Sequence, residues 1–162
     1  GGIKVKLSAA DAAFPGAVDA AVLYKEYAAA AGIEIEVVRE PNDGYWKNVW
    51  MKKPWGACYW GGRPTEDWMF STTHYSGADW NDTHFKNEQF DKWLIEARAE
   101  TNQNKRRQLY YEMQKMVSDE GGTVVPMFAN YVFAAHKNVQ HGTMAGNWMM
   151  DGNKFHERWW FA

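Results

Sequence analysis

The sequence holds one cysteine, Cys58, in 162 residues, so this chain alone can build neither an internal disulfide framework nor a thiolate zinc site. No run of 18 apolar residues occurs, which excludes a membrane-spanning helix. An excess of charge of one sign is missing too. The 18 Lys and Arg stand against 20 Asp and Glu, and a net charge of −2 provides no electrostatic footprint for nucleic acid or for an anionic membrane surface. Internal repeats and low-complexity tracts are absent. What the chain has in quantity is aromatic side chains, 10 Trp, 8 Tyr and 8 Phe, far too many for a disordered linker or tail. A chain of this length can bury roughly 70% of its surface in one domain without disulfides.

Residues 3 to 7 alternate Ile-Lys-Val-Lys-Leu, the period of a half-buried strand. The start, Gly1-Gly2-Ile3-Lys4-Val5, shows no signal-peptide pattern and enters a strand at once, so the chain is expected to be a piece of something longer. Val18, Val22, Leu23, Tyr27 and Ala30 recur at spacings of three and four, predicting a helix with Pro15 in its first turn and Gly32 just past its end. Residues 33 to 38 alternate again. A crossover of that length predicts two parallel strands with right-handed connection.

After Pro41, Asn42 or Asp43 caps a short amphipathic helix carrying Tyr45, Trp46, Val49 and Trp50, which Pro54 stops. Residues 55 to 60, Trp-Gly-Ala-Cys-Tyr-Trp, read as a third strand buried on both faces, with Cys58 inert inside it. Gly and Pro make residues 61 to 67 a loop that leads into a short helix from Glu66 to Ser71. Residues 72 to 86 are polar, aromatic and aperiodic, long enough to be a functional loop or the cover of a site.

Asn87 caps a helix reaching about Glu100, with Phe90, Trp93, Leu94 and Ala97 inward. A second helix runs from about Asn104 to Asp119 with Leu109, Tyr110, Met113, Met116 and Val117 inward, and Gly121-Gly122 ends it. Residues 123 to 128 and 131 to 135 read as strands, the first bending at Pro126. Beyond His136 the periodicity fades, and Trp159, Trp160 and Phe161 require a partner surface.

The familiar catalytic signatures are absent: no Gly-x-Ser-x-Gly elbow, no Walker loop, no Gly-x-Gly-x-x-Gly, no His-Glu-x-x-His, no EF-hand loop. The five histidines, His74, His84, His136, His141 and His156, are scattered rather than paired on a helix face. His74, Asp79, Asp82 and His84 share one loop and could converge on a metal, which supports an alternative reading as a small metal-dependent hydrolase using residues 74 to 84. Polar loop residues more often satisfy the backbone or face water. Asn81-Asp82-Thr83 matches a glycosylation acceptor, a pattern short enough to occur by chance. Glu66 and Asp67 beside Arg63 could form an acid/base pair, or cap the short helix and offset the charge of Arg63. Trp46, Trp50, Trp55 and Trp93 read as packing residues, while Trp60, Trp68 and Trp80 sit where an indole can cover a ligand.

The ordered series is Ala-Gly-Ile33-Glu34-Ile35, Trp60-Gly61-Gly62-Arg63-Pro64-Thr65-Glu66-Asp67-Trp68, Asn87-Glu88-Gln89-Phe90-Asp91, Lys105-Arg106-Arg107-Gln108-Leu109-Tyr110 and Val124-Val125-Pro126-Met127. In this order it resembles, over nearly the whole chain, the C-terminal part of the family 5 extracellular solute-binding proteins. These are the peptide, oligopeptide and nickel binding components of ABC transporters. The resemblance implies an α/β fold, a type II periplasmic-binding-protein C-terminal lobe with a mixed sheet and flanking helices. It implies a ligand-binding lobe over residues 1–135 and a return segment, 136–162, that would pack on a missing N-terminal lobe through Trp148, Trp159 and Trp160.

It further implies a binding function rather than an enzyme; neither a cofactor nor a metal centre is expected of this chain. Peptides or peptide-like solutes would be the ligands, ABC permease subunits the partners, and the periplasm or cell surface the location. Without its N-terminal lobe the fragment is expected to self-associate. The expected ligand contacts are Trp60, Gly61, Gly62, Arg63, Glu66 and Trp68. In the peptide-binding relatives an Asp after the equivalent strand pairs with the ligand's amino terminus. Aligning Trp60 with the family's tryptophan places Arg63 there, where a guanidinium would attract a carboxylate instead. A shift of three residues would put Glu66 in the amine-binding role.

Overall fold

In the computed structural model, which describes residues 2–162, the chain forms two compact units, Gly1–Trp60 and Gly61–Ala162. The first is built on a parallel pair, β1 (Ile3–Ala9) and β2 (Ile33–Arg39), joined by α1 (Ala17–Ala29). Register places Ile3 opposite Ile33 and Leu7 opposite Val37, so the alternating apolar residues share one face. On the outer face Lys4 meets Glu34 at 2.8 Å and Lys6 meets Glu36 at 3.2 Å, exposed pairs worth little.

The buried face of α1 differs from the predicted stripe. Ala17 and Ala21 are buried, and Val18, Tyr24 and Ala28 pack beside Leu7, Ala9 and Ile35. Val22, Leu23 and Tyr27 are exposed. Small residues let the helix lie close to a two-stranded sheet, where the larger ones would hold it away. Pro15 stands just before the helix, and Gly16 at φ +79° makes the entry turn that a residue with a Cβ rarely adopts.

The predicted third strand reduces to a single bridge, Ser8 with Gly56. Ser8 N–H donates to Trp55 O at 3.0 Å and Ala57 N–H to Ser8 O at 2.8 Å. The ladder stops because the Tyr45 hydroxyl, from the short helix α2 (Tyr45–Asn48), takes the Ala57 carbonyl at 2.6 Å. Tyr45 is 1% exposed, and burial first, then the nearby Cys58 and Glu40, push its pKa up to about 12. Cys58 is half-buried and Tyr59 exposed, so the segment is not the doubly covered strand its apolar run predicts.

The second unit carries α3 (Glu66–Thr73), α4 (Glu88–Ala99) and α5 (Gln103–Glu120), followed by a small antiparallel pair, β3 (Val139–His141) with β4 (Trp159–Phe161). Side-chain caps start all three helices. Thr65 Oγ1 accepts from Trp68 N–H at 3.2 Å, Asn87 Oδ1 from Phe90 N–H at 3.1 Å and Asn102 Oδ1 from Asn104 N–H at 3.0 Å. Their apolar stripes meet in a core of Phe70, Phe85, Phe90, Leu94, Ala97 and Met113.

Residues 123–128 and 131–135 are not strands. Among the described residues they have no ladder partner, and Phe128 and Val132 are 93% and 91% exposed. A β pattern is realised only where a second strand lies alongside.

Candidate ligand loop

Gly61 to Thr65 leads into the first turn of α3. Arg63 Nη1 donates back to Gly61 O at 2.8 Å and to Gly62 O at 3.4 Å, folding the side chain over its own loop. The guanidinium carbon lies 5.7 Å from the centre of the Trp68 ring, a cation–π stack, and Trp68 remains 48% exposed. Five of the six expected contacts therefore share this junction: Gly61, Gly62, Arg63, Glu66 and Trp68. Glu66 is an exposed residue of the first turn of α3. Trp60 belongs to the other unit, edge-on to Trp50 at 6.4 Å in a cluster that continues through Trp46 to Tyr45.

Asp67 anchors α3. It accepts from Arg98 Nε at 2.7 Å and from the Tyr110 hydroxyl at 3.1 Å, while Ser71, which Asp67 O holds at 2.6 Å, also receives Arg98 Nη2. The helix carrying Trp68 is thus tied to both α4 and α5. Burial and the Asp67 charge push the Tyr110 pKa up to about 12, and the same carboxylate raises that of Arg98.

Trp148 is the residue that periodicity missed. It comes from the return segment, yet its Nε1–H donates to Gly62 O at 2.8 Å and its ring meets Trp68 edge-on at 6.3 Å. Gly62 allows the approach, since a Cβ there would stand 3.1 Å from Asn147 Oδ1. The turn that presents Trp148 is left-handed: Met150, Asp151, Gly152 and Asn153 all have positive φ. Buried Asp151 holds it, accepting from Ala145 N–H at 2.6 Å and Trp159 Nε1–H at 3.1 Å and pairing with Arg158 at 3.2 Å. The Ala145 amide, then Trp159 and Arg158, keep the Asp151 carboxyl below the usual range against the opposing effect of burial. Asp151-Gly152-Asn153 was the one legible signal, a run of turn-forming residues. Trp159 packs within its own unit, on Phe133 and His141, while Trp160 and Phe161 are exposed.

The metal alternative finds no support. His74 is buried among Phe70, Phe85 and Phe90. Its Nδ1 lies 2.6 Å from Thr73 Oγ1, which donates to Met69 O at 2.9 Å, and its Nε2 lies 3.4 Å from Thr123 Oγ1, so both ring nitrogens are engaged by hydroxyl groups. Among the described residues no three acidic, His or Cys side chains group as metal ligands. Asn81 is likewise structural. It is buried, and it donates to Phe85 O at 2.6 Å and accepts from Phe85 N–H at 3.0 Å.

Burial lowers the His74 pKa, with Asp82 opposing weakly, and this sets a pH dependence. The unfolded chain binds the proton more readily, so stability is complete above the unfolded value, about 6.5, and is lost as pH falls from there towards the folded value. Urea unfolding midpoints should fall between pH 7.5 and 5.5 in the native sequence and change less in His74→Gln. Parallel pH profiles would contradict the assignment.

No protein-family model matches this sequence, and no curated protein matches it either. Solved structures match its fold. The oligopeptide-binding protein AppA of Bacillus subtilis, solved with a nonapeptide, aligns over 99% of this chain and 32% of its own, with TM-score 0.60 and 16% identity. NikZ of Campylobacter jejuni, solved with Ni(L-His), aligns over 71% of this chain and 24% of its own, with TM-score 0.58 and 20% identity. The periplasmic binding protein DppA of Helicobacter pylori, solved with the peptide STSA, aligns over 75% and 24%, with TM-score 0.59 and 19% identity. The fold is that of part of a type II periplasmic binding protein, as the resemblance implies. This chain spans about a quarter to a third of the length of those structures.

Proposed function

We propose that this chain is the C-terminal lobe of an ABC importer's solute-binding protein, capturing peptides or peptide-like solutes by closing on a preceding lobe. Residues 1–135 form the lobe and 136–162 the return segment. The exposed apolar row around Phe128 and Val132, together with Trp160 and Phe161, supplies the surface for that preceding lobe. The fragment alone associates through the same surface. Capture is an equilibrium, not a reaction: the ligand bridges the lobes, shifts the population to the closed form, and that form is what a permease recognises. Periplasmic or cell-surface location follows from this role.

The observation that carries the reading is the Arg63–Trp68 stack, half-exposed on an anchored loop in a fold shared with known binding proteins. A guanidinium held in place by carbonyls and an indole face has lost its rotamer freedom before binding, so less of the interaction energy goes into ordering it. Gly61, Gly62, Glu66 and Trp68 are the accompanying contacts. Native mass spectrometry of the complete protein that carries this chain, purified from its own cells, is the test. A co-purified peptide-like mass is expected. Tightly held zinc or iron in stoichiometric amount and no organic ligand would overturn it in favour of the hydrolase.

A further inference from the structure

Trp148 occupies a costly position. At φ +63° and ψ +158° its backbone lies in a region almost reserved for glycine, and the next four residues after Met149 are left-handed. That strain is offset by the Asp151 contacts, and the result is one specific placement: the indole edge against Trp68 and the Nε1–H on the carbonyl of Gly62. The same carbonyl also accepts from Arg63 Nη1. Trp148 and Arg63 are therefore coupled through one acceptor, and Trp68 touches both.

We propose that Trp148 completes a subsite at Arg63, walling it with its indole and pinning the Gly62 carbonyl that lies 3.4 Å from the guanidinium, next to the Gly61 carbonyl that holds it at 2.8 Å, so that the subsite takes a carboxylate joined to an apolar group. This rests on the solute-capture reading above and names the part of the ligand involved, the carboxyl-terminal end of a peptide-like solute. The charge selects the carboxylate through charge-assisted hydrogen bonds. The two indoles, set 87° apart, cover the adjoining apolar side chain.

The test is calorimetric titration of the complete protein with Ala-Ala-Ala-Phe as its free acid and as its carboxyl-terminal amide. The native sequence should prefer the acid. In Trp148→Ala the acid should bind about tenfold more weakly, and the acid-to-amide ratio should fall. Trp148→Phe, which keeps a ring but loses the donor, should lie between them and controls for a folding defect, as does the melting temperature of each unliganded variant. An acid-to-amide ratio unchanged in Trp148→Ala, with the acid still bound by the native protein, overturns the Trp148 role and leaves the capture reading intact. Equal binding of acid and amide by the native protein overturns the carboxylate chemistry. Binding of neither overturns this inference and the peptide reading together.

Discussion

Phe90→Ala should destabilise the second unit by about 3–5 kcal/mol. Phe90 is fully buried, and its ring lies edge-on to Phe70 at 5.3 Å and to Phe85 at 5.4 Å, with His74 tilted against it at 6.3 Å. Truncation removes the ring around which α3, the following loop and α4 are assembled. The neighbours cannot collapse into the gap, because Phe70 is carried on a helix tied through Asp67 to α4 and α5, and Phe85 is pinned by Asn81. Total stability of a domain this size is only about 5–15 kcal/mol, so the variant should be marginal at 37 °C. Urea unfolding checks it, and a loss below about 1 kcal/mol would mean that this cluster is not the core of the unit.

Tyr45 should have the corresponding role in the first unit. Tyr45→Ala should cost about 3–5 kcal/mol, since a large buried side chain is lost from a cluster with Ala10, Ala13, Ala17 and Val49. Tyr45→Phe separates the hydroxyl from the ring. It keeps the packing but leaves the Ala57 carbonyl without its donor, and about 1–3 kcal/mol is expected for that alone. If Tyr45→Phe were neutral, the hydroxyl would not be what ends the ladder after Gly56.

These two residues also mark what a sequence can convey. Helix α4 was legible from its Asn87 cap and apolar stripe, and α5 from its stripe of helical period alone, its cap being Asn102, ahead of the start at Asn104 that the stripe suggests. The β1–α1–β2 unit was legible for a similar reason, alternation and crossover length being local quantities. The strands expected at 123–135 were not, because alternation states only that a strand could form, and a ladder needs a partner whose position is non-local. The face of α1 was misread because alanine carries little hydropathy weight yet permits the closest approach to a sheet. Of the candidate site, the loop residues Gly61 to Trp68 were proposed through the family resemblance. Trp148 was not, because nothing in periodicity links residue 148 to residue 62, and its turn places non-glycine residues at positive φ.

The central claim is that Arg63 and its loop form one half of a solute-binding site. Titrating the complete protein with a bound-state peptide before and after Arg63→Ala tests it most directly. A charged hydrogen-bonding partner is worth about 1.5–3 kcal/mol, so affinity should fall about 10- to 100-fold. The melting temperatures of the two unliganded proteins, measured alongside, separate a lost ligand contact from a loss of stability. Equal affinity for the two proteins would contradict the account.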